Sequence, residues 1–129
     1  MARHILVVDD EPDITTFLAA LLEDEGYRVR TAASGEEGLA LLRQDSFDLV
    51  LLDHRMPGQT GSGMYAELQK DERLRRIPVI LVTGMGRITF LDEACRLATP
   101  PAAVVEKPID HAALLAAVRY ALDALPPAP

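Results

Sequence analysis

The stretch Ile5-Leu6-Val7-Val8-Asp9-Asp10 decides the fold, because a short apolar run leads directly into two adjacent carboxylates. Three later apolar runs also end at or next to a residue suited to phosphoryl chemistry. They are residues 49–52 before Asp53, residues 79–82 before Thr83 and residues 103–105 near Lys107. A further run, at residues 27–31, leads to no such residue. Short runs that are apolar throughout are typical of strands buried on both faces of a parallel sheet.

Helical periodicity lies between these runs. After Asp10, apolar residues recur with the i, i+3, i+4, i+7 spacing of one helix face. These residues are Ile14, Phe17, Leu18, Leu21 and Leu22. Pro12 suits the first turn of this helix, and Gly26 suits a left-handed stop after it.

The later helices have their own signals. Ser34 and Glu37 form a capping box, which predicts a second helix through about residue 44. We expect a third helix near residues 64–70 and a fourth at residues 88–97. Asp110 can cap a last helix. The apolar residues of that helix are Leu114, Leu115, Val118, Leu122 and Leu125.

The alternation of apolar runs and helices predicts an α/β fold, a single doubly wound sheet of five parallel strands with five helices. The second run is the more polar one and predicts an edge strand. This pattern fits the flavodoxin-like strand order 2-1-3-4-5, in which ligands bind at the switch point between strands 1 and 3. Asp9, Asp10 and Asp53 are therefore expected to gather at one edge of the sheet.

Length and composition limit the classes of protein. The 129 residues predict one domain, residues 1–124, followed by a proline-rich tail or truncated linker at residues 125–129. The net charge of −7 opposes direct binding to nucleic acid, which requires a basic surface. A single cysteine and the lack of any long apolar stretch or signal peptide predict a cytoplasmic protein without a membrane span.

Clustered carboxylates without histidine or cysteine favour a hard cation, because like charges cannot all ionise cheaply at one place. Mg²⁺ is the expected cofactor. Its charge and that of Lys107 would cancel the three aspartates, so that the site could admit a phosphoryl group. Asp53 is the candidate nucleophile for an acyl phosphate. Asp9 and Asp10 would hold the metal, with the backbone carbonyl of Arg55 nearby.

Three further residues suit the phosphoryl group itself. Lys107 would neutralise one phosphoryl oxygen, and Thr83 would donate a hydrogen bond to another. Gly84, next to Thr83, leaves space for a backbone N–H to approach the phosphate.

Taken in order, four motifs resemble the response-regulator receiver domain of two-component signalling over about residues 3–124. The motifs are Asp9-Asp10-Glu11, Asp53-x-x-Met56-Pro57-Gly58, Thr83-Gly84 and Lys107-Pro108. The resemblance implies that Asp53 accepts phosphate from a phosphohistidine on a histidine kinase or a histidine phosphotransfer protein. It also implies that Asp9 and Asp10 bind Mg²⁺, and that a cis bond joins Lys107 to Pro108. The expected function is a phosphorylation-controlled switch rather than a turnover enzyme.

The same resemblance draws attention to three other positions. Val104 stands where the family usually has the tyrosine or phenylalanine that moves together with the threonine. Arg55 and Met85 occupy positions that border the path of the hydrolytic water and tune the lifetime of the phosphate. The fourth helix, last strand and last helix form the surface through which such domains meet partners or form homodimers, and an output domain or downstream protein would read the signal.

Three alternatives compete with this reading. Aspartyl phosphatases of the haloacid-dehalogenase type place their nucleophile after strand 1, where this chain has two adjacent acids. A flavodoxin-like cofactor binder needs a hydroxyl-rich phosphate loop there, and Asp9 and Asp10 would repel the flavin phosphate. A phosphorylation-independent interaction module of the same fold stays open, with Val104 as the feature that favours it.

Overall fold

The computed structural model describes residues 3–53, 67–68, 70–83, 103–106 and 110–123. The strands are β1 (His4–Val8), β2 (Arg28–Ala32), β3 (Leu49–Asp53), β4 (Val79–Thr83) and β5 (Ala103–Glu106). The helices are α1 (Pro12–Asp24), α2 (Gly35–Gln44) and α3 (His111–Asp123), and Leu74–Arg76 forms a 3₁₀ turn. In the described part of the chain, no helix is both long and apolar enough to cross a membrane.

The strands pair in parallel in the order β2-β1-β3-β4-β5. A parallel sheet with flanking helices is the predicted flavodoxin-like fold, and β2 lies at an edge as its polar sequence indicated. Exposed arginines at positions 28 and 30 mark that edge. The helix predicted at residues 88–97 lies outside the described residues. Of the one predicted near residues 64–70, Glu67, Leu68 and Lys70 are helical, so the number of helices stays a prediction.

Two apolar layers cover the sheet, one on each face. Alternate residues of β1 divide between them: Leu6 and Val8 face the layer that includes α2, whereas Ile5 and Val7 face the layer that includes α1 and α3. All four are at most 1% exposed. This burial on both faces explains why β1 is apolar throughout.

The helix ends confirm the predicted capping residues. Pro12 is the first residue of α1. Gly26, two residues after the end of this helix, has a positive φ of 95°, the left-handed conformation predicted to stop it. At α2, the Glu37 N–H donates to Ser34 Oγ at 3.1 Å, while Glu37 Oε2 accepts from the Ala33 N–H at 3.3 Å. These bonds satisfy amide groups that a helix start leaves without partners.

Four of the five residues of the predicted apolar face of α1 pack in or against the core: Leu18 and Leu22 are buried, and Ile14 and Leu21 are partly buried. Thr15, Leu18 and Leu22 are the buried residues of the helix, whereas Phe17 is 37% exposed. The Phe17 ring instead contacts the ring of His111 at the start of α3, with 4.9 Å between centroids. Each residue turns the helix by about 100°, so that Phe17 and Leu18 point in different directions.

A tight turn before β4 is held by Asp71. Its Oδ1 accepts the N–H groups of Arg73 at 2.8 Å and Leu74 at 3.1 Å. The Arg73 guanidinium donates to the Leu42 carbonyl near the end of α2, and Leu74 is 1% exposed in the core. The two backbone bonds, at Leu74 first and then Arg73, hold the pKa of the Asp71 carboxyl below its ordinary value of 3.8.

The lowered pKa of Asp71 predicts an acid-dependent loss of stability. A carboxyl whose pKa is lower in the folded state stabilises the fold fully above its unfolded pKa. That contribution is lost as the pH falls through the folded pKa. We expect Asp71→Asn to lower the free energy of unfolding in urea at pH 7, and the difference from the wild type to shrink towards pH 3. The control is Glu72→Gln, which removes the charge of the exposed residue that follows Asp71. A difference that is independent of pH would contradict the prediction.

Candidate functional site

The carboxyl ends of β1 and β3 bring two of the predicted aspartates to the same place. In the register of this pair, Val8 lies opposite Leu52. Asp9 and Asp53 each follow by one residue. Because neighbouring strands lie about 4.8 Å apart, the backbones at these two positions are near neighbours. On its other side β1 pairs with β2, and β3 pairs with β4, so that the strand order runs outward in both directions from the β1–β3 pair. This pair is therefore the switch point of the sheet.

Asp9 is a buried carboxylate, only 2% exposed. Its N–H donates to the Ala32 carbonyl at the end of β2, at 3.1 Å. Its Oδ1 accepts the Glu11 N–H at 3.0 Å. Burial of a charged carboxylate is costly unless hydrogen bonds and nearby positive charge compensate for it. Asp9 is therefore held in a defined orientation from two elements, β2 and the start of α1.

The side chains that follow β1 form an acidic cluster. Ligand oxygens of Asp9, Asp10 and Glu11 lie within 4.8 Å of one another, and burial decreases from Asp9 to Asp10 to Glu11. Within the described ranges this is the one group of such residues with that spacing. An all-oxygen donor set suits a hard cation such as Mg²⁺, which retains several waters. The cluster therefore fits the metal predicted from the sequence.

The acidic cluster includes Glu11 beside the two aspartates predicted to bind the metal. In the sequence, Glu11 belongs to the first motif without a predicted role in binding. Its backbone N–H orients Asp9, and its carboxylate belongs to the acidic cluster. Its position directly after two aspartates is the signal that could have identified it.

The ends of β3, β4 and β5 extend the same edge. Asp53 lies opposite Val82 in the β3–β4 register, and Thr83 lies opposite Glu106 in the β4–β5 register. Lys107 follows Glu106 directly in the sequence. The backbone therefore brings the predicted phosphoacceptor and the predicted phosphate-binding threonine to neighbouring strand ends.

Val104 lies within β5, opposite Leu81 of β4. It is two residues before Glu106, so it stands below the edge at which Thr83 lies. The remaining predicted site residues, Arg55, Gly84, Met85, Lys107 and Pro108, lie outside the described residues. Their roles stay predictions.

The comparisons with known proteins agree with this architecture. The sequence profile described as "Response regulator receiver domain" matches residues 5–119. The chain is 38% identical to the transcriptional regulatory protein GlrR of Escherichia coli over 97% of its own length, but it spans only 27% of that relative. It is 38% identical to Protein PilH of Pseudomonas aeruginosa, covering 95% of this chain and 98% of that protein.

A solved structure shows the same fold. The chemotaxis protein CheY4 of Vibrio cholerae superposes with a TM-score of 0.87 at 26% identity, covering 95% of this chain and all of that one. The chain therefore belongs to the response regulator receiver domain family. Domains of this family are the receivers of two-component systems, which the four motifs of the sequence already indicated.

The acidic cluster predicts that divalent cations stabilise the fold. We expect Mg²⁺ to raise the free energy of unfolding by about 2.7 kcal/mol at a hundredfold excess over its Kd, because it binds the folded chain. Asp9→Asn and Asp10→Asn should reduce this gain in a thermal or urea titration. The matched control is Asp24→Asn, at the opposite end of α1, which should retain the full gain. An equal gain in all four proteins would place the bound ion elsewhere.

Proposed function

We propose that this chain is a phosphoacceptor switch in which Asp53 takes a phosphoryl group from a phosphohistidine, with Mg²⁺ as the cofactor. The observation that carries the proposal is the juxtaposition of Asp9 and Asp53 at the ends of β1 and β3, beside the acidic cluster of Asp9, Asp10 and Glu11. Membership of the receiver family supports it. The phosphodonor would be a histidine kinase or a histidine phosphotransfer protein.

In the proposed reaction, a carboxylate oxygen of Asp53 attacks the phosphorus atom, and the bond from phosphorus to the imidazole nitrogen breaks. The electron pair of that bond remains on the imidazole, and the aspartate becomes an acyl phosphate. Phosphoryl transfer of this kind depends mainly on positioning and on neutralising charge. Bound Mg²⁺ would neutralise phosphoryl and carboxylate charge. Asp9, Asp10 and the backbone carbonyl of Arg55 would hold it.

The other residues of the edge would bind the phosphoryl oxygens. Lys107 supplies a positive charge, and Thr83 supplies a hydroxyl donor. Gly84 leaves room for a backbone N–H to donate as well. The parallel register supports this arrangement, because Thr83 lies at the end of the strand next to Asp53 and Lys107 directly follows the residue opposite Thr83.

The domain would act as a switch and not as a turnover enzyme, because the phosphoryl group stays on the protein until slow hydrolysis removes it. The relatives contain a matching domain either as nearly the whole protein or as one part of a longer protein. PilH is matched almost over its whole length, whereas GlrR contains much additional chain. The signal would pass to an output domain or a downstream protein. The phosphorylated domain could also form a homodimer through residues 88–97, β5 and α3. We place this function in the cytoplasm, with no direct contact to nucleic acid or membrane.

The first test is phosphorylation of the isolated chain. With Mg²⁺ and acetyl phosphate as the donor, we expect intact mass spectrometry to show the gain of one phosphoryl group. Asp53→Asn should abolish the gain, because the amide is not a nucleophile that can form the acyl phosphate. Asp45→Asn, a change of the same kind at an exposed position beyond α2, should preserve it.

A chain that folds and binds Mg²⁺, yet stays unmodified by acetyl phosphate and by a histidine-phosphorylated partner, would contradict the proposal. That result would favour the second candidate, a phosphorylation-independent interaction module. Val104 is the feature that favours it, since no large ring stands at that position to couple the strand to the site.

If the chain is phosphorylated, Val104 changes how the signal would spread. Valine has no aromatic ring that could move between exposed and buried positions. We propose that the switch instead depends on movement of residues 83–87 and of the segment at residues 88–97. Backbone chemical shifts there should differ between the free chain and a complex with a phosphate mimic. Identical shifts in both states would contradict this mechanism.

Arg55 and Met85 would set the lifetime of the acyl phosphate. Both positions border the expected path of the hydrolytic water, so that truncation should change the rate of its attack. Arg55→Ala and Met85→Ala can be compared with the wild type by following the decay of the phosphorylated mass after removal of the donor. Equal decay rates would exclude a role for either side chain.

A further inference from the structure

Thr15 is a polar residue on the buried face of α1. It is 9% exposed, and in the described part of the chain only Thr15 and Asp9 are buried polar or charged residues. It shares its helix face with Leu18 and Leu22, which lie in the core layer on the α1 and α3 side of the sheet. An apolar side chain of similar size would suit that layer, so the hydroxyl has to be explained by its hydrogen bonds.

The bonds of Thr15 lie in the first turn of α1, directly after the acidic cluster. Its Oγ1 donates to the Pro12 carbonyl at 3.0 Å, and its N–H donates to the Glu11 carbonyl at 3.1 Å. One residue therefore holds two successive carbonyl groups. The Glu11 side chain makes no capping bond to this helix start, so that the hydroxyl of Thr15 is a side-chain restraint on the turn.

The first turn is connected to the carboxylate of Asp9. Glu11, whose carbonyl accepts from Thr15, donates its own N–H to Asp9 Oδ1 at 3.0 Å. Asp9 is also tied to β2 through its backbone N–H. The link from Thr15 to the carboxylate that begins the acidic cluster therefore runs through the backbone of Glu11, and the Thr15 hydroxyl restrains the same turn through its bond to the Pro12 carbonyl.

We propose that Thr15 is a positioning residue for the metal site, holding the Glu11 amide where it orients the Asp9 carboxylate towards the cation. The inference rests on the proposed function, in which that cation is Mg²⁺. Mg²⁺ requires nearly ideal octahedral geometry, whereas Ca²⁺ accepts irregular coordination. A loss of orientation should therefore weaken Mg²⁺ binding more than Ca²⁺ binding. A loss of stability alone would not distinguish the two ions.

The test compares Thr15→Val, which keeps the shape but lacks the hydroxyl, with Thr15→Ser, which restores it. By calorimetric titration of the full chain, Thr15→Val should bind Mg²⁺ more weakly by up to about fivefold, since the energy of one neutral hydrogen bond is the upper limit on what the lost restraint costs binding. Ca²⁺ affinity should change less, and Thr15→Ser should bind Mg²⁺ like the wild type. Thr16→Val, the same substitution at the adjacent exposed position, is the matched control.

A second measurement does not need the metal. In the metal-free protein, amide hydrogen exchange at Glu11 should be faster in Thr15→Val than in Thr16→Val, because the first turn holds that N–H against Asp9. Thr15→Ala should show the same effects if the valine variant folds poorly.

Two results would overturn the inference. One is a Thr15→Val chain that binds Mg²⁺ as tightly as the wild type, and the other is an equal loss of affinity for both ions. Failure of the wild-type chain itself to bind Mg²⁺ is a different outcome, since it would overturn the proposed metal site and the role of Thr15 with it.

Discussion

The parallel register between β1 and β3 is the constraint on which the rest of the molecule depends. With Val8 opposite Leu52, the two strands end together, and the residues that follow are both aspartates. A shift of one residue would move every side chain of a strand to the other face of the sheet. Both faces of β1 are buried, with Ile5 and Val7 in one apolar layer and Leu6 and Val8 in the other, so that a shift would require both close-packed layers to repack. The core therefore sets the geometry of the site.

The same constraint creates an electrostatic problem at the edge of the sheet. The buried carboxylate of Asp9 lies next to those of Asp10 and Glu11 in a chain that carries a net charge of −7. Backbone amides relieve part of the cost, since the Glu11 N–H donates to Asp9 and the N-terminus of α1 presents the positive end of its dipole here. A divalent cation would relieve much more. In this view the first turn of α1 is part of the site, because it links the acidic cluster to the helix.

Membership of the family accounts for the fold but does not specify which output domain or downstream protein this domain controls. Two relatives that are 38% identical to this chain differ in length. PilH is nearly as long as this chain, whereas the match covers only 27% of GlrR. One fold can serve several functions, so support for phosphoryl transfer has to come from the site. Here it comes from the order of strand ends, with Asp9, Asp53 and Thr83 following one another across the sheet. Val104 lies in β5, which pairs directly with β4, and its role as an atypical switch position stays a prediction.

By itself, the sequence determined the kinds and order of the described elements and the residue types at the edge of the sheet. Apolar runs and capping residues are local signals, and Pro12, Gly26, Ser34 and Asp110 act within one or two turns of the chain. Acidic residues after β1 and β3 could likewise be recognised, because parallel strands must end at a common edge.

Tertiary structure decided which side chains became buried and which strand ends lie together. The spacing of α1 placed Phe17 on an apolar face, yet Phe17 lies half-exposed against His111 while the polar Thr15 occupies the core. Helical spacing defines a face only to within a broad arc, and the packing of α1 against the sheet and α3 selects the direction within it. By contrast, the bond from the Glu11 N–H to Asp9 Oδ1 spans only two residues and is an Asx turn, a bond that aspartate forms locally. Tertiary structure instead buried this carboxylate and placed Asp53 at the neighbouring strand end, because the pairing of β1 with β3 joins residues far apart in the chain.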